Sequence, residues 1–175
     1  MQQSVARSFL DTVDRHRSSN ALIMSERAWT YDELGRLTGA VSSFLGAANL
    51  ERGDRVAILL PNCPEYVATF YGTHLAGGVV VALNIQEPAR VLARLLEHCG
   101  AKVLFVDNKL RELPRLRDLT AESELQIIPV QSSPGPWTDI VSASSPDFRR
   151  HVVDIRSSDL AAIIYTSGTT GNPKG

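Results

Sequence analysis

The chain has little cysteine: two residues in 175, Cys63 and Cys99. Two distant thiols form neither a disulfide scaffold nor a four-thiolate metal site, so both are expected reduced and buried. No stretch approaches the ~20 apolar residues of a membrane helix, and runs such as Val56–Leu60 and Val79–Leu83 have the length of strands. No charge of one sign dominates: 18 basic and 19 acidic residues leave a net charge of −1. That balance excludes the basic footprint expected of a nucleic-acid or anionic-membrane binder. The four histidines (His16, His74, His98, His151) share no close spacing, so no metal cluster is expected. The N-terminal stretch lacks the apolar centre of a secretory signal, and Asp11 and Asp14 are out of place in a mitochondrial presequence. A cytoplasmic location is the expectation. Aromatics make up only 6%, and Trp29 and Trp137 are better explained by packing than by ligand contact.

What is present is periodicity. Apolar residues make up 43% of the chain, enough for one domain that buries roughly 70% of its unfolded surface. Val5, Phe9 and Val13 recur at helical spacing within residues 4–16. A short hairpin is expected from Ala21–Met24 and Ala28–Thr30 across Ser25-Glu26-Arg27. Thr30 and Glu33 then form a capping box for a helix with Leu34, Leu37, Val41, Phe44, Leu45 and Ala48 on one face. Strands are expected at Arg55–Leu60, Val79–Leu83, Lys102–Val106, Leu125–Val130 and Leu160–Ile164.

Helices separate these strands. One starts at Pro64, with Val67, Phe70, Tyr71, His74 and Leu75 inward. A second opens at Pro88, with Val91, Leu92, Leu95, Leu96 and Cys99 inward, and stops at Gly100, where a left-handed residue is wanted. A third covers Leu110–Thr120. Strand–helix alternation at this spacing predicts an α/β fold, a largely parallel sheet with flanking helices. Residues 131–147, rich in Ser and Pro, are expected as an ordered surface loop or a flexible linker.

The last residues differ in kind. An apolar strand runs into Tyr165-Thr166-Ser167-Gly168-Thr169-Thr170-Gly171-Asn172-Pro173-Lys174-Gly175. Glycines let several backbone N–H groups converge, hydroxyls add donors, and Lys174 adds a positive charge. Together they suit a phosphate chain. An ordinary polar turn is the alternative. The segment is not a Walker loop, because Pro173 precedes the lysine and Gly175 stands where Ser or Thr belongs. Nor does it have G-x-G-x-x-G spacing.

Ile163 through Lys174 resembles the signature phosphate loop of adenylate-forming enzymes: acyl-CoA synthetases, nonribosomal adenylation domains and luciferases. The likeness covers an aliphatic residue, two free positions, Thr-Ser-Gly-Thr-Thr-Gly, a free position, Pro and Lys. It extends in order through Trp29-Thr30-Tyr31-Asp32-Glu33-Leu34, Gly53-Asp54-Arg55-Val56, Leu60-Pro61-Asn62, Ala76-Gly77-Gly78, Leu83-Asn84 and Cys99-Gly100-Ala101-Lys102-Val103. The resemblance implies that a carboxylate attacks the α-phosphate of magnesium-bound ATP, giving an acyl-adenylate and pyrophosphate. A thiol, commonly that of coenzyme A, then displaces AMP. It also implies that Thr166, Ser167, Gly168, Thr169, Thr170, Gly171 and Lys174 hold the β- and γ-phosphates. That is positioning and electrostatic work without a nucleophile.

The family pattern continues beyond Gly175, with the adenine pocket, the acyl pocket and a C-terminal domain carrying a catalytic lysine, which Lys174 is not. Residues 1–175 are therefore expected to be the N-terminal part of an AMP-binding domain, ending at the phosphate loop, with no catalytic residue and no metal ligand of their own. The loop is expected to fray at the free end and to bind phosphate weakly. The stretch from Leu83 to Lys102 is most similar to fatty-acid and aryl-acid CoA ligases.

Three readings stay open. The first is an inactive N-terminal piece of an acyl-CoA-synthetase-type ligase. The second is a non-catalytic interaction module, or one half of a split enzyme joined by a complementary C-terminal fragment. The third is an independent NTPase, for which a Walker lysine and an acidic magnesium ligand are missing. The purified 175-residue chain is expected to show no ATP–pyrophosphate exchange with a panel of fatty and aryl acids. Exchange at ordinary enzyme rates would refute that expectation.

Overall fold

The computed structural model describes residues 4–110, 112–130, 135–143, 153 and 155–166. Helix α1 (Val5–His16) starts at Ser4, whose hydroxyl accepts from the Arg7 amide at 3.3 Å. Its buried face is Ala6, Phe9, Leu10 and Val13. Val5, in helical register with Phe9 and Val13, is 37% exposed, because the buried face turns one residue further round. Strands β1 (Asn20–Met24) and β2 (Arg27–Thr30) pair antiparallel, with Met24 opposite Arg27. The turn is therefore Ser25-Glu26, one residue shorter than expected, and Ser25 takes a left-handed φ of 53° to close it.

Helix α2 (Tyr31–Ala47) carries the expected capping box. The Glu33 amide donates to the Thr30 hydroxyl at 3.2 Å, and the Thr30 amide donates to the Glu33 carboxylate at 2.8 Å. A cap of this kind stabilises a helix by about 1 kcal/mol. The bond from the Thr30 backbone holds the Glu33 carboxyl below its usual range.

Five strands form one parallel sheet: β3 (Arg55–Leu59), β4 (Val79–Ala82), β5 (Ala101–Asp107), β6 (Gln126–Val130) and β7 (Ala162–Ile164), in the order β6-β5-β3-β4-β7. Helices α3 (Pro64–Leu75), α4 (Ala89–Cys99), α5 (Leu113–Leu119) and α6 (Pro136–Ser142) lie between successive strands. Alternate strand residues face opposite layers. Val56, Ile58, Val80 and Phe105 pack in the core that contains α1, α2, α3 and α6. Ala57, Leu59, Val81, Leu104 and Val106 pack in the core that contains α4 and α5. Both faces of the sheet are thus covered, as the continuous apolar runs require.

Four further details depart from expectation. Residues 136–142 form α6, where a loop or linker was expected. Trp137 and Ile140, three apart, are buried, and the Trp137 ring meets Phe105 edge-on at 6.2 Å. Pro136 suits the first turn because its missing N–H needs no partner there. On α3 the fully buried side is Ala68, Thr69, Gly72, Thr73 and Leu75, with His74, while Val67, Phe70 and Tyr71 are only half-buried. Small residues let α3 approach α2 closely, and the larger rings pack at the margin, where Tyr71 stacks on Phe9 at 4.1 Å. Helix α5 begins at Leu113 rather than Leu110, with Pro114 in its first turn. Strand β7 is three residues long, and Leu160, expected within it, is 61% exposed outside it.

Gly100 ends α4 at φ 60°, ψ 46°, the left-handed conformation anticipated for it. The Arg55 guanidinium donates to the carbonyls of Cys99 (2.7 Å) and Gly100 (3.0 Å), tying the start of β3 to the end of α4. Beside it, Asp54 accepts from Lys102 at 2.7 Å and from the Glu51 amide at 2.8 Å. Burial alone would raise the Asp54 pKa, but these bonds outweigh it and hold the carboxyl below its usual range.

Two predictions follow from this packing. A Cβ on Gly72 would lie 2.7 Å from the Val41 Cβ and 2.9 Å from the Thr38 carbonyl oxygen. Neither neighbour can give way, so Gly72→Ala should destabilise the protein by about 1–3 kcal/mol in urea unfolding despite its better helix propensity. Gly46→Ala, with nothing within 4 Å, should instead stabilise by up to about 1 kcal/mol.

His74 is 4% exposed, and burial pushes its pKa down from 6.5 to about 4. Between those values the unfolded chain binds a proton that the folded chain refuses. Stability should therefore be full above pH 6.5 and fall by about 3 kcal/mol as the pH drops toward 4. His74→Phe should flatten the pH 4–6.5 part of the curve, leaving the carboxylate-dependent loss at lower pH; an unchanged curve would show that His74 is not the source.

Candidate functional site: the carboxyl edge of the sheet

In open parallel sheets, ligands bind beyond the carboxyl ends of the strands. Here that edge is formed by Leu60-Pro61-Asn62-Cys63 after β3, Leu83-Asn84 after β4, and Tyr165-Thr166 after β7. The segment after β3 enters α3 at once. Pro64 occupies the first helical position and Cys63 is the capping residue, without a side-chain cap bond. Burial raises the Cys63 thiol to about 12 and also raises Cys99. Both are free and protonated at neutral pH, so neither is an activated nucleophile. After β4, Asn84 turns the chain by accepting the Gln86 amide on its side-chain oxygen at 3.0 Å.

Strand β7 pairs with β4 through Val80–Ala162, Val81–Ile163 and Ala82–Ile164. The sheet thus delivers Tyr165 and Thr166 to the carboxyl edge beside β4. Thr166 is exposed. Ser167, Gly168, Thr169, Thr170, Gly171 and Lys174, the other residues assigned to the phosphates, lie outside the described residues. The Tyr165 hydroxyl lies 2.7 Å from Nδ1 of His98 on α4, and the two rings meet edge-on at 5.8 Å. Burial raises the Tyr165 pKa, and Cys99 adds to the effect. The sequence offered no signal for this pair, because the partners are 67 residues apart. Among the described residues there is no group of three His, Cys, Asp or Glu side chains that could hold a metal ion. Among the same residues, no helix is long and apolar enough to cross a membrane.

The geometry is that of a parallel α/β sheet in which β7, outermost among the described strands, runs into a Thr/Ser/Gly-rich sequence. The family model described as "AMP-binding enzyme" matches residues 9–175, and the chain belongs to that family. It is 30% identical to a 3-hydroxybenzoate/4-hydroxybenzoate CoA ligase of Thauera aromatica, over 88% of this chain and 30% of that one. It is 31% identical to the long-chain-fatty-acid CoA ligase FadD13 of Mycobacterium tuberculosis, over 83% of this chain and 28% of that one. The chain thus spans about a third of the length of these relatives. Among solved structures, VinN with 3-methylaspartate superposes with a TM-score of 0.83 at 27% identity, covering 98% of this chain and 46% of that one.

Proposed function

We propose that this chain is the phosphate-binding N-terminal part of an ATP-dependent acyl-CoA synthetase. The observation that supports it most is the Thr166–Lys174 motif leaving β7 at the carboxyl edge, beside β4. In this reading Thr166, Ser167, Gly168, Thr169, Thr170, Gly171 and Lys174 hold the β- and γ-phosphates of ATP. They orient the leaving pyrophosphate while a carboxylate attacks the α-phosphate to give an acyl-adenylate; coenzyme A then forms the thioester. The chain's share is to position the phosphates and offset charge. Mg2+ travels with ATP, and no ligand for it is assigned within this chain.

The acyl substrate is a carboxylic acid whose class is left open, because the relatives are named for hydroxybenzoate and for long-chain fatty acids, and VinN was solved with an amino acid. Fatty-acid metabolism in the cytoplasm is the setting we favour. A second reading has one observation behind it. Leu160 and Ile164 around the β7 edge are 61% and 68% exposed, a surface suited to a complementary C-terminal fragment in a split enzyme.

Calorimetric titration of the 175-residue chain tests the phosphate reading. Pyrophosphate should bind weakly, with little preference for ATP over pyrophosphate, and affinity should fall with added salt. Lys174→Ala should weaken binding by about tenfold or more, as loss of a charge-assisted bond implies. An affinity indifferent to Lys174 and to salt would refute the assignment.

A further inference from the structure

The β4–β7 ladder ends at Ala82–Ile164, so the pairing of β7 with β4 is three residues long. Ile164 points outward and is 68% exposed. Tyr165, one residue on, turns to the other side and packs with Ile163 against the core that contains α4. Its hydroxyl meets Nδ1 of His98 at 2.7 Å. With Nε2 protonated, the hydroxyl donates to Nδ1. His98 stands in the last turn of α4, whose end is itself fixed by the left-handed Gly100 and by Arg55 on the carbonyls of Cys99 and Gly100. A continuous set of contacts therefore runs from the start of β3, through the end of α4, to the residue from which the chain enters segment 166–174.

We propose that His98 is a positioning residue for that segment: through the Tyr165 hydroxyl it fixes where the chain leaves β7. The proposal rests on the reading of 166–174 as phosphate-binding. His98 touches no phosphate in this account. Its effect is on Tyr165, the residue just before that segment, and groups that must position a ligand are sensitive to displacements of about 1 Å.

The test uses the 175-residue chain with His98→Ala, His98→Asn, Tyr165→Phe and the His98→Ala/Tyr165→Phe pair. The Asn side chain can present a hydrogen-bonding atom near the place of Nδ1. Hydrogen exchange of amides 165–171 is measured by mass spectrometry, alongside pyrophosphate affinity by calorimetry. His98→Ala and Tyr165→Phe should each speed exchange there about three- to tenfold and weaken pyrophosphate binding by a similar factor, the scale of one hydrogen bond. His98→Asn should stay near wild type, and the double variant should be no worse than either single one. Exchange in β3 and β4 should not change, which separates positioning from a general loss of stability. Unchanged exchange at 165–171 in either single variant, or additive losses in the pair, would overturn the proposal. If the wild-type chain binds no pyrophosphate, the phosphate reading fails, and the exchange ratios still decide whether His98 fixes the loop root.

Discussion

The structure depends on a parallel strand buried on both faces. Val56, Ala57, Ile58 and Leu59 of β3 are inaccessible to solvent. Over those four positions such a strand carries no polar side chain, and it needs a neighbour on each side and a helical layer above and below. β5 and β4 supply the neighbours, and the α2–α3 and α4–α5 layers supply the cover. Each large aliphatic side chain buried this way contributes about 1.5–3 kcal/mol. Polar chemistry is thereby displaced to the two ends of the sheet.

The two ends are used differently. At the amino end, Asp54, Arg55 and Lys102 join the start of β3 to β5 and to the last carbonyls of α4. Those bonds pair the Asp54 carboxylate and the last carbonyls of α4, so the contacts at that end serve to hold strand and helix together. At the carboxyl end, the Asn84 side chain shapes the turn after β4, and Thr166 is left facing solvent.

Much of this was legible in local sequence. The Thr30–Glu33 box, the stop at Gly100 and the alternation of apolar runs with amphipathic helices each depend on residues close in the chain, and the parallel α/β sheet follows from their order. The misjudged elements depend on distant partners. Helix α6 was hidden by its Ser- and Pro-rich setting, and it is a helix because Trp137 reaches Phe105. The inward side of α3 could not be placed without knowing that α2 comes close enough to demand Gly72. Strand β7 looks like a core strand, but with β4 as its described neighbour it is half-exposed. Of the seven residues assigned to phosphate, the described structure places Thr166 alone, at the expected edge. His98 carried no mark of its link to Tyr165, because a pairing across 67 residues leaves no local pattern.

The sheet order also dictates an order of assembly. β3, β4, β5 and β6 are complete by residue 130, whereas β7 joins β4 from 82 residues further along. During synthesis the first four strands can pair before residues 162–164 leave the ribosome. The long closure needed to seat β7 makes it a late event in refolding as well. The strand that leads into residues 166–174 is thus added to the margin of an already buried set of strands. Substitutions in β7 therefore bear on the last-added part of the sheet rather than on the four strands that can pair before it.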